Sequence, residues 1–349
     1  MSETPPSQLI TEFQQTFRRI ETELAKAVVG HGELVRHILT AFFAGGHVLI
    51  EGVPGTGKTL IVRSLADVLN LSFNRIQFTV DLMPADITGT RMVMDRDDGR
   101  REFVFVEGPI FSHILLADEI NRSTPKTQAA LLEAMAEQQV TVAGTTYHLQ
   151  PPFFVLATLN PIEMEGTYPL PEAQLDRFFF KVHLTYPTHG EIQRIIGSTT
   201  TNESPDLQPV FDHAEAAEKI MTYRQLVREV MVAPHLEEYI AALIHATIPA
   251  DAKYLNKADS AKTRLVKEDL VNRYVSFGSS PRGGQTLLLG AKVLALLDGR
   301  ANISYDDVDR IAAPALNHRL VMNFAAEAEN IDPTSIIERI IQSARKLRR

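Results

Sequence analysis

The first half of the chain alternates short apolar runs with stretches of helical periodicity. Five runs, each bounded by turns or helices, cover residues 47–50, 73–78, 114–117, 153–159 and 178–184. Such runs are typical of parallel strands that are buried on both faces. One helix is predicted between the third and fourth runs, with Thr124 as its cap and Pro125 in its first turn. The pattern predicts an α/β fold, a sandwich with a central parallel sheet, over residues 21–187.

Helical spacing dominates the rest of the chain. Apolar positions within residues 8–43 fit two amphipathic helices. Strand signals stop after residue 187, and helices are predicted over residues 214–231, 235–247, 281–298 and 305–317, the last with a Ser304–Asp307 capping box. We therefore expect an N-terminal extension (1–20), a linker (188–206) and an all-α domain (207–349). Residues 250–270 are polar and mixed in charge, which predicts a solvated helix or loop.

Two interruptions of the α/β pattern have the alternation of β-hairpins. Residues 89–108 alternate around Asp98-Gly99, and residues 138–150 do so around Ala143-Gly144. Hairpins that project from a sheet are candidate interaction surfaces, or they are structural embellishment. The sequence alone leaves both interpretations open.

Composition narrows the class of protein. A length of 349 residues favours two domains, and a hydrophobic content of 44% with 22% charged residues is typical of a globular protein. The net charge of -8 argues against nucleic acid as a partner, and the lack of cysteine excludes disulfides and thiolate metal sites. No stretch reaches ~18 uninterrupted apolar residues. We expect a cytoplasmic protein without a membrane partner.

Residues 52–59, GVPGTGKT, fit the phosphate-binding pattern G-x-x-x-x-G-K-[ST] between a predicted strand and a predicted helix. Glycines let backbone N–H groups surround phosphate oxygens, the lysine reaches the β and γ phosphates, and the Thr59 hydroxyl can ligate Mg²⁺. The alternative is a glycine-rich turn with a surface lysine. The expected nucleotide contacts are Gly52, Val53, Pro54, Gly55, Thr56, Gly57, Lys58, Thr59 and Leu60.

Polar residues end the next two predicted strands. Asp118 follows the apolar run 114–117, where a carboxylate emerges at the carboxyl edge of a parallel sheet, and we expect it to hold Mg²⁺. Glu119 is the candidate that orients and polarises the attacking water. Asn160 follows the run 153–159 and can hydrogen-bond the γ-phosphate or that water. The alternative for Asp118 and Glu119 is that they merely end a strand. The alternative for Asn160 is that it forms a turn before Pro161.

Two arginines stand where a cation is unexpected. Arg282 follows Ser280, a candidate cap, and lies in a first helical turn, where the helix dipole disfavours a cation. A bound anion would explain it, so we expect Arg282 to reach the γ-phosphate; a surface ion pair is the alternative. Arg177 lies at the start of the last apolar run, and a surface pair with Asp176 is the simplest interpretation of it alone.

These motifs together resemble the AAA+ ATPases, and specifically their MoxR branch. The resemblance rests on residues 52–59, DLMPADITG (81–89), EGPIF (107–111), DEINRSTPKTQAALLEAM (118–135) and NPIEMEGTYPLPEAQLDRF (160–178), and runs from about residue 21 to residue 325. It implies Mg²⁺-dependent ATP hydrolysis in a homo-oligomeric ring, a hexamer or similar, of the chaperone type. It also implies a von Willebrand factor A domain partner and a protein client that is matured or receives a metal or cofactor.

The resemblance also assigns roles to single residues. Asn160 corresponds to sensor 1, Arg177 to the arginine finger that acts on a neighbouring subunit, and Arg282 to sensor 2. Val29 and Gly30 would approach the adenine by their backbone. His31 stands where the family commonly has glutamine and receives no role. Arg122 is either an intersubunit contact or a surface salt bridge.

Three rival functions remain open. A magnesium-chelatase-like ATPase subunit is disfavoured by the MoxR-type residues 160–178. A nucleotide-gated scaffold with negligible turnover is compatible with every residue named. A DNA-loaded motor ranks last, because acidic residues share the first hairpin with its arginines and the second hairpin has no lysine or arginine.

Overall fold

The computed structural model of the protein describes residues 6–53, 55–95, 101–161, 167–199, 205–250, 252, 266 and 268–348. The chain divides into two compact units. We call Arg18–Leu170 with Val182–Thr222 the sheet unit, and Met1–Phe17 with Pro171–Lys181 and Tyr223–Arg349 the helical unit. The domain boundaries drawn from the sequence stay predictions. Within the described ranges, none of the helices is long and apolar enough to cross a membrane.

The strands follow the apolar runs. They are β1 (Val48–Gly52), β2 (Phe73–Gln77), β3 (Gly89–Asp95), β4 (Arg101–Glu107), β5 (Ile114–Asp118), β6 (Gln139–Val142), β7 (Thr145–His148), β8 (Phe154–Leu159), β9 (Phe180–Leu184), β10 (Val275–Phe277) and β11 (Val321–Met322). Five of them form one sheet in the order β2-β5-β8-β1-β9. The pairings β2–β5, β5–β8 and β1–β8 are parallel. The predicted α/β fold with a central parallel sheet is confirmed.

The helices cover most of the remaining chain. They are α1 (Pro6–Ala27), α2 (Gly32–Ala44), α3 (Lys58–Leu69), α4 (Pro84–Thr88), α5 (Pro125–Glu137), α6 (Glu172–Leu175), α7 (His189–Thr199), α8 (Ala216–Glu229), α9 (Pro234–Ala246), α10 (Asp269–Tyr274), α11 (Pro281–Leu297), α12 (Tyr305–Leu316), α13 (Phe324–Ala328) and α14 (Pro333–Ala344). The helices predicted after residue 207 are all present. The predicted linker 188–206 begins with α7.

Both predicted hairpins are present in the sheet unit. Strands β3 and β4 pair antiparallel, as do β6 and β7. The turn between β6 and β7 has positive φ at Ala143 (49°) and Gly144 (80°), which two-residue hairpins of the primed type require. The predicted turn Asp98-Gly99 lies outside the described residues. The two hairpins also touch, because the ring of Phe105 stacks on that of Tyr147 at 3.9 Å between centroids.

The helical unit differs from an all-α domain in one respect. Strands β10 and β11 form a two-stranded antiparallel ribbon within it. The sequence shows no strand signal at these positions, because segments of two and three residues are too short to show a period of two. The polar stretch 250–270 lies almost wholly outside the described residues.

Helix starts test the capping predictions directly. The capping box of α12 is confirmed, since the Ser304 backbone N donates to Asp307 Oδ2 at 2.7 Å and Asp307 N donates to Ser304 Oγ at 3.4 Å. Helix α5 begins after Thr124 as predicted, but the Thr124 hydroxyl makes no cap bond. It lies 3.2 Å from the hydroxyl of Thr127 instead.

Candidate functional site

The glycine loop joins β1 to α3, the strand and helix predicted around it. Gly55 (φ 79°) and Gly57 (φ 86°) have left-handed backbones, and an added Cβ at either position would meet nothing within 4 Å. These two glycines are therefore required by backbone conformation, which turns successive N–H groups toward one side. At Gly52 the reason is packing, since a Cβ there would lie 2.8 Å from Leu184 Cβ. Pro54 lies outside the described residues.

Lys58 is the first residue of α3, and its ammonium is held in the loop. The side chain is buried, and Nζ donates to the Gly52 carbonyl at 2.7 Å. Burial lowers the pKa of Lys58, and the negative charges of Asp118 and Glu119 partly offset this. The Thr56 hydroxyl donates to the Val53 carbonyl at 2.8 Å and thereby tightens the loop.

The first turn of α3 contains no acidic residue, so no carboxylate from that turn caps its N-terminal N–H groups. Thr59 is half-buried in this turn, and the following Leu60 is exposed. The loop, Lys58 and the helix start are therefore complementary to an anion.

Asp118 is the last residue of β5 and is buried with two donors. Thr158 Oγ1 donates to Oδ1 at 2.6 Å, and Arg75 Nη2 donates to Oδ2 at 2.7 Å. The same Thr158 hydroxyl accepts from the backbone N of Glu119 at 2.8 Å. One fully buried hydroxyl on β8 thus fixes both acidic residues at the end of β5.

Glu119 leaves the strand in a strained conformation. Its φ of 56° lies in the left-handed region, which costs a non-glycine residue about 1–3 kcal/mol unless its surroundings hold it there. Its Oε2 accepts from Gln77 Nε2 at 2.8 Å and from Arg122 Nη1 at 3.1 Å. The carboxylate is therefore held by one donor from β2 and one from the turn that follows β5.

Asn160 directly follows β8 and is buried. Strand β8 lies between β5 and β1 and runs parallel to both, so all three end at the same edge of the sheet. That edge carries Asn160, the acidic pair Asp118–Glu119 and the start of the glycine loop. The structure thus brings together the residues predicted from three separate strand ends.

The segment predicted near the adenine contains another left-handed glycine. Gly30 has φ 84°, and an added Cβ would lie 2.4 Å from Cδ of Glu191 on α7. Val29 beside it is half-buried, and His31 precedes α2 without a side-chain cap bond. Burial lowers the pKa of His31, and the nearby Glu191 charge opposes this shift.

The two predicted arginines belong to the helical unit. Ser280 caps α11 by accepting from the Arg282 backbone N at 3.2 Å, as predicted. Arg282 Nη1 lies 3.8 Å from Asp176 Oδ2, so the ion pair that was the alternative for Arg282 has a carboxylate partner within this unit. Arg177 follows α6, and its backbone N donates to the Gln174 carbonyl at 3.2 Å.

Asp176, the residue before Arg177, has two partners from more distant parts of the chain. Arg319 Nε donates to Asp176 Oδ1 at 2.8 Å, and Ser280 Oγ donates to Oδ2 at 2.9 Å. Asp176 thus binds Arg319 and Ser280. No signal in the sequence placed Arg319 near this segment.

Comparisons with known proteins follow the same motifs. Residues 47–180 match the family described as ATPase family associated with various cellular activities (AAA), and residues 267–340 match the AAA lid domain. The chain is 38% identical to Chaperone MoxR1 of Mycobacterium tuberculosis, over 94% of this chain and 81% of that protein. It is 30% identical to Protein MoxR of Methylorubrum extorquens, over 91% of each.

The chain belongs to the MoxR family of AAA+ ATPases. A solved structure described as an ATPase candidate from Cytophaga hutchinsonii matches the fold of this MoxR-family chain with a TM-score of 0.84, at 38% identity over 96% of each chain. The family and the fold class expected from the sequence are confirmed.

The donor set of this MoxR-family site suits Mg²⁺ bound with a nucleotide. Thr59 would supply a hydroxyl and Asp118 a carboxylate, the hard oxygen ligands that Mg²⁺ prefers. Within the part of the chain that the structure describes, no group of three or more His, Cys, Asp or Glu residues could hold a metal by itself.

Several partners in this site could not be predicted from the sequence. Arg75 and Gln77 lie on one face of β2, on either side of Ile76, and nothing in that pattern signals contact with Asp118 and Glu119. Thr158 lies within an apolar run and is indistinguishable there from an ordinary strand residue. Knowing the strand order β2-β5-β8 would have placed all three beside the acidic pair.

Substituting Thr158 tests the hydroxyl that joins the acidic pair. Thr158→Val keeps the shape but leaves Oδ1 of the buried Asp118 without its donor and the Glu119 N–H without its acceptor, so we expect the free energy of unfolding to fall by about 1–3 kcal/mol. Thr158→Ser, which retains the hydroxyl, is the matched control. Denaturant unfolding of the two variants gives the comparison. Equal midpoints for Val and Ser would show that the hydroxyl carries no weight.

A pair of glycine substitutions tests the loop conformation. Gly57→Ala places a Cβ on a left-handed backbone, which costs about 1–2 kcal/mol. We expect lower unfolding free energy and weaker binding of a fluorescent ATP analogue. Gly197→Ala on α7, where a Cβ also meets nothing within 4 Å, should instead stabilise by about 1 kcal/mol. Effects of the same sign at both positions would contradict the conformational explanation.

Proposed function

We propose that this MoxR-family protein is a Mg²⁺-dependent ATP hydrolase that works as a homo-oligomeric ring, with a hexamer as the expected size. The observation that carries the proposal is the convergence of the glycine loop, Lys58, the pair Asp118–Glu119 and Asn160 at one edge of a parallel sheet. The proposal is supported because this edge combines a loop complementary to an anion with two adjacent carboxylates.

The residues divide the work of hydrolysis. The loop N–H groups and Lys58 bind the β and γ phosphates, and Val29 and Gly30 accept the adenine against their backbone. Thr59 and Asp118 would hold Mg²⁺, which supplies positive charge to the phosphate oxygens when bound. Glu119 orients the attacking water and accepts its proton as the bond from the γ-phosphorus to the bridging oxygen breaks. Asn160 holds that water or the γ-phosphate.

The two arginines act on charge that develops at the γ-phosphate. Arg282 serves the nucleotide of its own subunit, and Arg177 serves that of a neighbouring subunit. Inserted arginines of this kind are worth ~10³–10⁵ in rate. The helical unit supports this proposal, because Asp176 directly precedes Arg177 in the chain and its Oδ2 lies 3.8 Å from Arg282 Nη1. The same oxygen accepts a hydrogen bond from Ser280 Oγ.

The work done with ATP is remodelling of a protein client, together with a von Willebrand factor A domain partner, in the cytoplasm. A relative named Chaperone MoxR1 supports the chaperone character. The first hairpin supports a protein client, because Met92, Met94 and Val104, which share one face of it, are 50%, 46% and 36% exposed. Contiguous exposed apolar side chains are typical of protein-binding surfaces.

A nucleotide-gated scaffold with negligible turnover is the second candidate. It is favoured by the bonds from Gln77 and Arg122 to Glu119, which engage the carboxylate that hydrolysis requires. An active enzyme must release at least one of these bonds when water is polarised.

Mixing of inactive subunits tests the ring and the role of Arg177 together. Arg177→Ala should bind ATP and assemble but lose about 10³-fold in turnover, and Glu119→Gln should bind ATP without hydrolysing it. In an equal mixture, a junction is active when an Arg177→Ala subunit, which retains Glu119, meets a Glu119→Gln neighbour, which retains Arg177. In closed rings assembled at random, this holds at roughly one junction in four. We expect ATPase activity to recover to that order.

The control for this experiment is Arg273→Ala, which removes an exposed arginine that pairs with Glu329 on the helical unit. Its turnover should stay close to that of the unaltered protein. If mixtures of Arg177→Ala and Glu119→Gln show no recovery while both variants bind ATP and assemble, Arg177 does not act across an interface.

A further inference from the structure

One carboxylate in the helical unit is connected to both proposed γ-phosphate arginines. Asp176 immediately precedes Arg177, and its Oδ2 accepts from Ser280 Oγ at 2.9 Å. Ser280 in turn caps α11 by accepting from the Arg282 backbone N at 3.2 Å, and Arg282 Nη1 lies 3.8 Å from Oδ2. Two hydrogen bonds therefore separate the Asp176 carboxylate from the backbone of Arg282.

The other carboxylate oxygen of Asp176 accepts from a buried arginine that has no role in the proposed hydrolysis. The Arg319 side chain is 1% exposed, and its Nε donates to Asp176 Oδ1 at 2.8 Å. Burial lowers the pKa of Arg319 to about 10, and Asp176 opposes this shift, so the guanidinium stays charged near neutral pH. A buried charge without partners would cost several kcal/mol, which explains why its donors are so fully engaged.

The remaining donors of Arg319 hold the backbone around Arg177. Its Nη2 donates to the Phe178 carbonyl at 2.7 Å and to the Asp176 carbonyl at 3.2 Å, and its Nη1 donates to the Phe179 carbonyl at 3.2 Å. Nη1 also donates to the Ala315 carbonyl on α12. The carbonyls on both sides of Arg177 are thus fixed by one guanidinium.

The start of α11 also packs closely against Arg319. At Gly283, the residue after Arg282, an added Cβ would lie 2.1 Å from Ser279 Oγ and 3.2 Å from Arg319 Cδ. A shift of the α11 start would therefore press on Arg319, and through it on the backbone at Arg177.

We propose that Asp176 and Arg319 are positioning residues that fix Arg177 and Arg282 as one body. The inference rests on the roles proposed for these two arginines. It follows that a change at Arg282, on binding or loss of the subunit's own γ-phosphate, changes how Arg177 is presented to the neighbouring subunit. The network is thus a route by which one site in the ring sets the activity of the next.

Ser280→Ala is the variant that breaks this network at its weakest point. It removes the bond to Asp176 and one helix cap, and loss of a single cap should leave the protein folded. Ser304→Ala is the matched control, because it removes the cap of α12 in the same unit without touching Asp176. Ser280→Thr retains a hydroxyl and should restore activity.

Mixed oligomers separate the effect of Ser280→Ala on the arginine finger from its effect on the altered subunit's own ATP site. Subunits with Ser280→Ala and Glu119→Gln, mixed with Arg177→Ala subunits, report only the finger that the altered subunit supplies. Subunits with Ser280→Ala and Arg177→Ala, mixed with Glu119→Gln subunits, report only the altered subunit's own site. The reference is the mixture of Arg177→Ala with Glu119→Gln, and its recovery tests the proposed function separately.

We expect turnover in both mixtures to fall about tenfold or more below the reference, because small displacements of a positioned group have effects of that size. The KM for ATP should change only in the mixture that reports the altered subunit's own site. A fall in only one mixture, or in neither, would overturn the proposal. An equal fall with Ser304→Ala would also overturn it, since it would show a general response to loss of a cap.

Discussion

The sheet edge depends on a carboxylate that is buried before any ligand arrives. Asp118 ends a strand whose residues are all buried, and an ion there costs several kcal/mol unless it has partners. It receives one bond from Thr158 on one neighbouring strand and one from Arg75 on the other. Because these strands are parallel, the bonds join their ends, and they leave Glu119 and Asn160 at the same edge as the glycine loop.

In the helical unit, the carboxylate of Asp176 is likewise held by partners from distant parts of the chain. There the carboxylate is the centre, and a buried arginine and a helix-capping serine are its partners. In both units a charged group that looks ordinary in the sequence organises the backbone that carries catalytic candidates. The strained backbone of Glu119 belongs to the same logic, since neighbouring donors hold a conformation that an isolated glutamate would leave.

Local patterns predicted a large part of this fold and site. Each sheet strand appeared as an apolar run, the glycine loop as a motif between strand and helix, and Asp118 and Asn160 as polar residues that end such runs. Their convergence followed from the general rule for parallel sheets. The hairpin pairings were also predictable, because alternation and turn residues are local signals.

What escaped prediction depends on contacts between distant parts of the chain. Arg319 lies 143 positions from Asp176, and nothing around it in the sequence marks it as buried. Thr158 is hidden within an apolar run, and its role appears only when β5 and β8 are neighbours. The Thr124 cap failed for a different reason, since a residue type predicts where a helix starts but not which partner its hydroxyl takes.

Steady-state ATPase activity per subunit, measured across a range of protein concentrations, shows whether this sheet edge hydrolyses ATP within an oligomer. With Mg²⁺ present, we expect activity per subunit to rise with concentration and reach a plateau, and chelation of Mg²⁺ to abolish it. Negligible turnover at every concentration would favour the scaffold. Activity that is independent of concentration down to the monomer would contradict a site completed by a neighbouring subunit.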